Sequence, residues 1–334
     1  MPTIRDVASL AGVAPITASR VINHSGYVSD DLRQRVFEAA DQLGYVPNTL
    51  ARSLRSKKSR TLALVLTDIT NPFWTTVARG VEDTASDAGF SVFFCNTDEL
   101  ESKQARYLEI LAQKRVDGVL LVPTTSDNQP VLYLKQQNID VVILDRRIPG
   151  NNVDIIRCDS EEAAYQLIVR LRKLGHRRIF LLSGPVGVSS ADDRVSGYLR
   201  GLQDPDQDIL PVNILRGEFT LESGYQMTCT ALSQNPCPTA LFASNNFIAI
   251  GALKALQDAD VPVPEEMSVV AFDDLPGAIV VDPFLTVAVQ PAYEMGRLAT
   301  LRLIERLSGL HEDQFEEIVL PVQITDRKST RSIG

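Results

Sequence analysis

Along residues 4–43 apolar positions recur every three or four places, and from residue 62 they gather instead into short unbroken runs separated by amphipathic stretches. The first pattern predicts helices and the second buried strands alternating with helices. Ile4, Val7, Ala8, Leu10 and Ala11 share one helical stripe. Thr3 precedes them with Asp6 three residues on, the arrangement of a capping box. Gly12 breaks this run, and a second helix is expected over Pro15–Ile22, with proline in the first turn where its missing N–H costs nothing. Ser29 stands where a cap for a third helix is needed. The face of that helix is Leu32, Val36, Ala39, Ala40 and Leu43, and its end is Gly44. The tight Ala11-Gly12-Val13 link makes the first two helices a helix-turn-helix pattern.

From Leu62 the expected strands are 62–66, 92–94, 117–122 and 141–144, with helices over 73–88, 104–113 and 130–137. A second series has strands at 179–182, 212–215, 240–243 and 268–272 and helices near 162–174, 191–202, 221–233 and 246–259. Strands apolar on both faces, alternating with helices, imply mostly parallel sheets covered on both sides. Two such series imply two lobes with a cleft. A last helix, 292–307, and a strand at 318–320 return most simply to the first lobe.

Charge divides the chain in the same place. The net charge is −9 overall, but residues 1–60 carry +4 and the remainder −13. A small basic module on an acidic body can set its positive face on nucleic acid while the body is repelled. The 334 residues suffice for several packed domains, and 44% apolar content excludes general disorder. There is no secretory leader and no run of about twenty apolar residues, so a cytoplasmic location is expected and a membrane partner is not. Cys95, Cys158, Cys229 and Cys237 lack metal or redox spacing, and His24, His176 and His311 are too scattered for a metal cluster. Gly-rich phosphate loops and a nucleophile–base set are also missing, so neither catalysis nor a cofactor is expected.

Two features outside the apolar stripes bear on chemistry. On the second helix Pro15, Ile16, Thr17, Ser19 and Arg20 remain for contact with base edges and phosphates, Arg20 as a fork to guanine, Ile16 or the Thr17 methyl against thymine. The other reading is a three-helix bundle with an exposed arginine. Asn48 can cap a short helix through Arg55, too short to persist alone, with Ala51 and Leu54 on neighbouring positions and Arg52, Arg55, Lys57, Lys58 and Arg60 along its rim. It suits a hinge that orders on DNA, its leucines wedging into the minor groove, or else an ordinary charged linker.

In the body, polar residues collect where strands end, the usual ligand face of a parallel sheet. These are Asp68, Asn71, Asp145, Arg146, Ser183, Arg194, Asn245, Asn246, Asp273, Asp274 and Gln290, with aromatic faces from Phe73, Trp74 and Phe219. Carboxylates, amides and a guanidinium above an aromatic ring match a neutral sugar. Singly, each has a structural alternative: Asp145 as a loop cap, Asp273-Asp274 as a helix cap, Phe219 as core.

These residues resemble the LacI type of bacterial repressors over nearly the whole chain. The likeness rests on Thr3-Ile4-Arg5-Asp6-Val7-Ala8, Ala11-Gly12-Val13, Thr17 to Asn23, Leu43 to Asn48, Ala51-Arg52-Ser53-Leu54, Asn71-Pro72-Phe73, Lys114 to Gly118, Gly175-His176 and Phe272-Asp273-Asp274. The resemblance implies an all-α helix-turn-helix headpiece (1–47), a hinge helix and linker (48–60), and a two-lobed α/β domain like a periplasmic binding protein (61–334). The N-lobe would be about 61–160 plus 291–322 and the C-lobe about 161–290. It further implies a homodimer on near-palindromic operator DNA, repressing transcription under control of a small molecule in the cleft.

DNA contacts would come from Thr3, Pro15, Ile16, Thr17, Ser19, Arg20, Asn23, Tyr27, Asn48, Ala51, Leu54 and Arg55. The effector would meet Asn71, Phe73, Trp74, Asp145, Arg146, Ser190, Arg194, Phe219, Asn245, Asp273 and Gln290, with Arg194 and Asp273 as the pair that holds ligand hydroxyls. A sugar or sugar derivative is the expected effector, with a purine or nucleoside as the alternative, and a sugar-binding transport protein or a sugar-converting enzyme further off. Arg146-Arg147 points toward an acidic sugar unless an arginine pairs with the acidic surface. The chain departs from the family at Ala14, where a capping Ser or Thr is usual, and at Asn246, where Asp is frequent.

Overall fold

The computed structural model describes residues 2–46, 59–150, 152–203, 210–275, 282–310 and 314–333, and the chain divides into two units, Met1–Ser59 and Arg60–Gly334.

The first unit contains α1 (Ile4–Ala11), α2 (Pro15–Ile22) and α3 (Asp30–Gln42). Their inward stripes meet in one core of Val7, Ala8, Ala11, Ala18, Val21, Val36, Ala39 and Ala40. The Thr3–Asp6 capping box forms in full. Gly12, at φ 63°, turns the chain left-handedly between α1 and α2, and Arg35 donates to the Ala11 carbonyl at 2.6 Å, fixing α3 beneath the turn. Ala14 takes the extended conformation of an N-cap but offers no side-chain acceptor to α2. Ser29 does not act as the sequence predicts: it occupies the cap position, yet its hydroxyl bonds no helix amide. Asp30 and Asp31 supply negative charge to that helix end instead.

The second unit holds two six-stranded sheets. The first, all parallel, has the order β11-β5-β4-β3-β1-β2. Its strands are β1 (Thr61–Leu66), β2 (Ser91–Asn96), β3 (Gly118–Leu121), β4 (Asp140–Leu144), β5 (Asp154–Cys158) and β11 (Glu317–Leu320). The second has the order β12-β10-β9-β8-β6-β7 and is parallel except for β12. It is built from β6 (Ile179–Ser183), β7 (Ile214–Arg216), β8 (Ala240–Ala243), β9 (Ser268–Phe272), β10 (Thr286–Val289) and β12 (Gln323–Thr325).

The period-two geometry of β1 explains its unbroken apolar run: Leu62, Leu64 and Leu66 enter the core on one face of the sheet, Ala63 and Val65 the core on the other. Helices α4 (Pro72–Asp87), α5 (Glu101–Lys114), α6 (Gln129–Gln136) and α11 (Ala292–Leu307) cover the first sheet. Helices α7 (Ser160–Lys173), α8 (Ser189–Leu202), α9 (Leu221–Leu232) and α10 (Asn246–Asp258) cover the second. Helices α4 and α11 touch backbone to backbone. A Cβ on Gly80 would lie 2.1 Å from the Tyr293 carbonyl oxygen, and one on Gly296 2.1 Å from that of Val77.

As expected, α11 and β11 return to the first lobe, where β11 pairs with β5. The chain then crosses once more: β12 closes the edge of the second sheet against β10, and Ser329 bonds β9. Strands β5, β10 and β12 lie outside the sequence expectation. β5 opens on Asp154, which is fully buried against Arg302 and Arg306 of α11 and so breaks the apolar signature. β12 is only three residues long. The strand expected at 212–215 begins instead at Ile214. Arg60, read above as part of a basic rim, belongs to the second unit: its amide bonds Asp117 at 2.8 Å and its guanidinium lies over Phe90.

Candidate functional site

Between the carboxyl ends of the two sheets lies a cavity of about 660 Å³. All eleven residues expected to meet an effector line it: Asn71, Phe73, Trp74, Asp145, Arg146, Ser190, Arg194, Phe219, Asn245, Asp273 and Gln290. Thr67, Asp98, Glu99, Glu218 and Thr220 line it too, unnoticed in the sequence although they obey the same strand-end or helix-start rule. Ser183 is fully buried and off the wall, and Asp274 faces a neighbouring groove and is held by Arg327.

The two lobes present matching carboxylates. Asp145 follows β4 at φ 63° and Asp273 follows β9 at φ 64°, both in the left-handed region that non-glycine residues seldom enter. Each amide is tied to the next strand, Asp145 to the Ile156 carbonyl at 2.8 Å and Asp273 to that of Ala288 at 2.9 Å. Gln290 donates to Asp273 at 2.7 Å and keeps a buried carbonyl oxygen without a partner among the described residues. Burial pushes the Asp273 carboxyl up to about 6, against the pull of Arg194 and the Gln290 amide, while Asp145 adds to the rise.

Arg194 lies 4.2 Å over the Phe272 ring and donates to the Ser244 carbonyl at 2.6 Å, leaving its buried Nε unpartnered among the described residues. The unmatched Arg194 Nε and Gln290 Oε1 are a donor and an acceptor on this wall, the condition a polar ligand relieves. Asn245 caps α10 through Oδ1, which accepts from the Ile248 amide at 2.8 Å. Phe73 and Trp74 meet edge to face, centroids 4.8 Å apart. Gly184 leaves room for Phe219, since a Cβ there would come within 2.3 Å of the ring.

The arginines give no support to an acidic ligand. Arg146 is buried and held by both carboxylate oxygens of Glu99, at 2.8 and 2.5 Å, and by the Pro123 carbonyl at 2.8 Å. Arg147 pairs with Asp193. Among the described residues the cavity wall carries six carboxylates against two guanidiniums. Among the described residues no group of His, Cys, Asp and Glu is placed to hold a metal ion. His176 is structural, bonded to the Thr239 hydroxyl and the Arg331 carbonyl, and burial lowers its pKa.

In the first unit Pro15, Ile16, Arg20, Asn23 and Tyr27 are exposed, Ile16 at 65% and Tyr27 at 93%. Thr17 and Ser19 are half-buried, and Thr3 is exposed but committed to its capping box. Asn23 donates back to the Ser19 carbonyl at 2.7 Å, closing α2. The remaining expected DNA contacts, Asn48, Ala51, Leu54 and Arg55, lie outside the described residues.

Residues 3–48 match the family profile of bacterial regulatory proteins of the lacI family, and residues 59–330 that of periplasmic binding proteins and the sugar-binding domain of the LacI family. The chain is 34% identical to the ribose operon repressor of Halalkalibacterium halodurans, covering 99% of this chain and 98% of that protein. It is also 34% identical to the transcriptional repressor PurR of Haemophilus influenzae, over the full length of both. Among solved structures, the lac repressor dimer bound to operator and the anti-inducer ONPF superposes with a TM-score of 0.86 at 27% identity, covering 99% of each chain. The chain belongs to the LacI family of bacterial transcription regulators. It is a sequence-specific DNA-binding repressor, regulatory rather than catalytic, controlled by a small molecule in the interlobe cleft. No helix among the described residues is long and apolar enough to cross a membrane.

Proposed function

We propose that this repressor acts in the cytoplasm on a near-palindromic operator and answers to a neutral sugar or sugar derivative. The observation that carries the effector class is the cavity wall, where Asp145 and Asp273 face the ligand from the two lobes with Arg194, Asn245 and Gln290 among them. Carboxylates accept from ring hydroxyls, the guanidinium and amides donate, and Phe73, Trp74 or Phe219 covers an apolar ring face. The excess of carboxylates repels sugar acids and sugar phosphates. The name of the 34% identical ribose repressor fits this class.

A purine or nucleobase is the second reading, favoured by the three aromatic rings on the wall and by the PurR relatives. Transport use of the same two-lobed body is a weaker reading, since the headpiece would have no task. In the DNA reading, α2 lies in the major groove, Ile16 against a thymine methyl and Arg20 on a base or phosphate, with Pro15, Thr17, Ser19, Asn23, Thr3 and Tyr27 around them. Calorimetric titration with D-ribose, D-gluconate and hypoxanthine tests the effector. Heat only with ribose supports the proposal; heat only with hypoxanthine replaces it with the second reading, and heat only with gluconate overturns the charge argument.

A further inference from the structure

Two sets of contacts tie the lobes together beside the cavity, and they differ in kind. One is neutral: Asn71, capping α4 in the first lobe, and Asn246, opening α10 in the second, exchange reciprocal amide hydrogen bonds of 2.9 Å each way. This is what the family-atypical Asn246 does here, since an aspartate could accept but not donate. The other set is charged. Asp193 on α8 of the second lobe contacts the guanidinium of Arg147, which follows β4, and lies 4.0 Å from that of Arg157 on β5, both in the first lobe. Arg157 also bonds Glu317 of β11. Beside this cluster the Arg147 amide donates to Ser189 Oγ at 2.7 Å and Ser126 Oγ to the Gly187 carbonyl at 2.6 Å, again from lobe to lobe.

Asp193 is one residue from Arg194 and one helical turn from Ser190, so it shares the helix that presents both to the ligand cavity. Its side chain is 10% exposed and those of Arg157 and Arg147 are 15% and 42% exposed. Burial pushes its carboxyl pKa up, while Arg147, Arg157 and Arg194 oppose the rise and Glu161 adds to it. Parting the lobes would strip Asp193 of both first-lobe cations and return all three groups to water. Attraction and desolvation largely offset each other in such a cluster, so the net bias toward closure is small, the scale on which a two-state equilibrium is adjustable.

We propose that Asp193 is a positioning residue, an adjustable clasp that acts through Arg147 and Arg157 to set how far the cleft is closed before any effector binds. Its partly wetted ion pairs weaken with salt, whereas the Asn71–Asn246 pair does not. Cleft closure in this protein therefore has a salt-sensitive part, owed to Asp193, and a salt-insensitive part, owed to the asparagine amides and the hydrogen bonds of Ser189 and Ser126.

The Arg147 amide hydrogen reports opening directly, because its acceptor Ser189 is in the other lobe. Its exchange is measured by mass spectrometry in the full-length, effector-free protein at low and high sodium chloride. In the wild type it is expected to exchange faster at high salt. Asp193→Asn should exchange about fivefold faster at low salt, the factor for a coupling of ~1 kcal/mol, and lose the salt response. Asn246→Ala should exchange faster yet keep the salt response, and Asp193→Glu should restore it. Arg157→Gln, which leaves Asp193 in place, should reproduce the loss in part and serves if Asp193→Asn does not fold. Wild-type exchange in both Asp193→Asn and Arg157→Gln, or faster exchange with the salt response intact, overturns the proposal.

Discussion

Asp145 and Asp273 stand at corresponding places in the two lobes, one residue past the end of a central strand, and share a left-handed backbone at φ 63° and 64°. Both sit on the wall of the interlobe cavity, with the Arg194 guanidinium among them. Two like charges brought to one cavity, each in an uncommon backbone conformation, oppose folding locally. Such strain is retained where a ligand uses it.

The first prediction follows from Asp273. Its carboxyl titrates near 6 in the folded chain against an ordinary value of 3.8. The folded state thus holds this proton more tightly than the unfolded state, so the group's contribution is full below about pH 4 and is lost as pH rises through about 6. Above that, its buried charge costs stability. Asp273→Asn is expected to melt several degrees above wild type at about pH 7.5, with the gap closing toward about pH 5, and to lose ribose binding. Melting curves at the two pH values check this; a variant less stable at about pH 7.5 would contradict it.

Among the described residues Arg194 is the one guanidinium on the wall without a carboxylate within salt-bridge distance, and its Nε is buried without a partner there. Charge-assisted hydrogen bonds to a ligand are each worth about 1.5–3 kcal/mol. Arg194→Lys is therefore expected to weaken D-ribose at least about tenfold by calorimetry while operator affinity without effector stays within a few-fold.

For the DNA-reading surface, Ile16→Ala and Arg20→Ala separate two kinds of contact. Ile16→Ala should relax preference at one base pair in a selection from randomised operators, with a modest loss of affinity. Arg20→Ala should cost about 1–3 kcal/mol if the fork reads guanine, and equal losses on all sequences would place it on phosphate instead.

Helix α2 begins without a side-chain cap, at Ala14 with φ −66° and ψ 145°. That backbone suits a capping serine. Ala14→Ser should add about 1 kcal/mol to this helix, seen as slower hydrogen exchange of the first α2 amides in the full-length protein. Unchanged exchange would mean that the Pro15 turn leaves no amide within the hydroxyl's reach.

The helices of the headpiece and most of the alternating pattern were legible because apolar spacing and capping are local properties. The cavity residues were legible as a set because parallel strands deliver their following loops to one end, a rule that needs no knowledge of partners. What stayed hidden depends on pairing across the fold. Asp154 reads as a polar break until Arg302 and Arg306, far along the chain, are seen to enclose it. Arg146 reads as a ligand cation until Glu99, on a loop from another strand, neutralises it. Asn246 reads as a lost charge until Asn71 meets it across the cleft.

The lacing of the second unit bears on how the protein is made. The first sheet waits for β11 to cover the edge of β5, and the second for β12 to cover the edge of β10. As the chain emerges during synthesis, the first sheet therefore lacks an edge strand until Leu320 has been added and the second until Thr325. Residues 3–46 pack a core of their own and emerge first. The part that reads DNA can thus be folded on the nascent chain well before the part that restrains it exists.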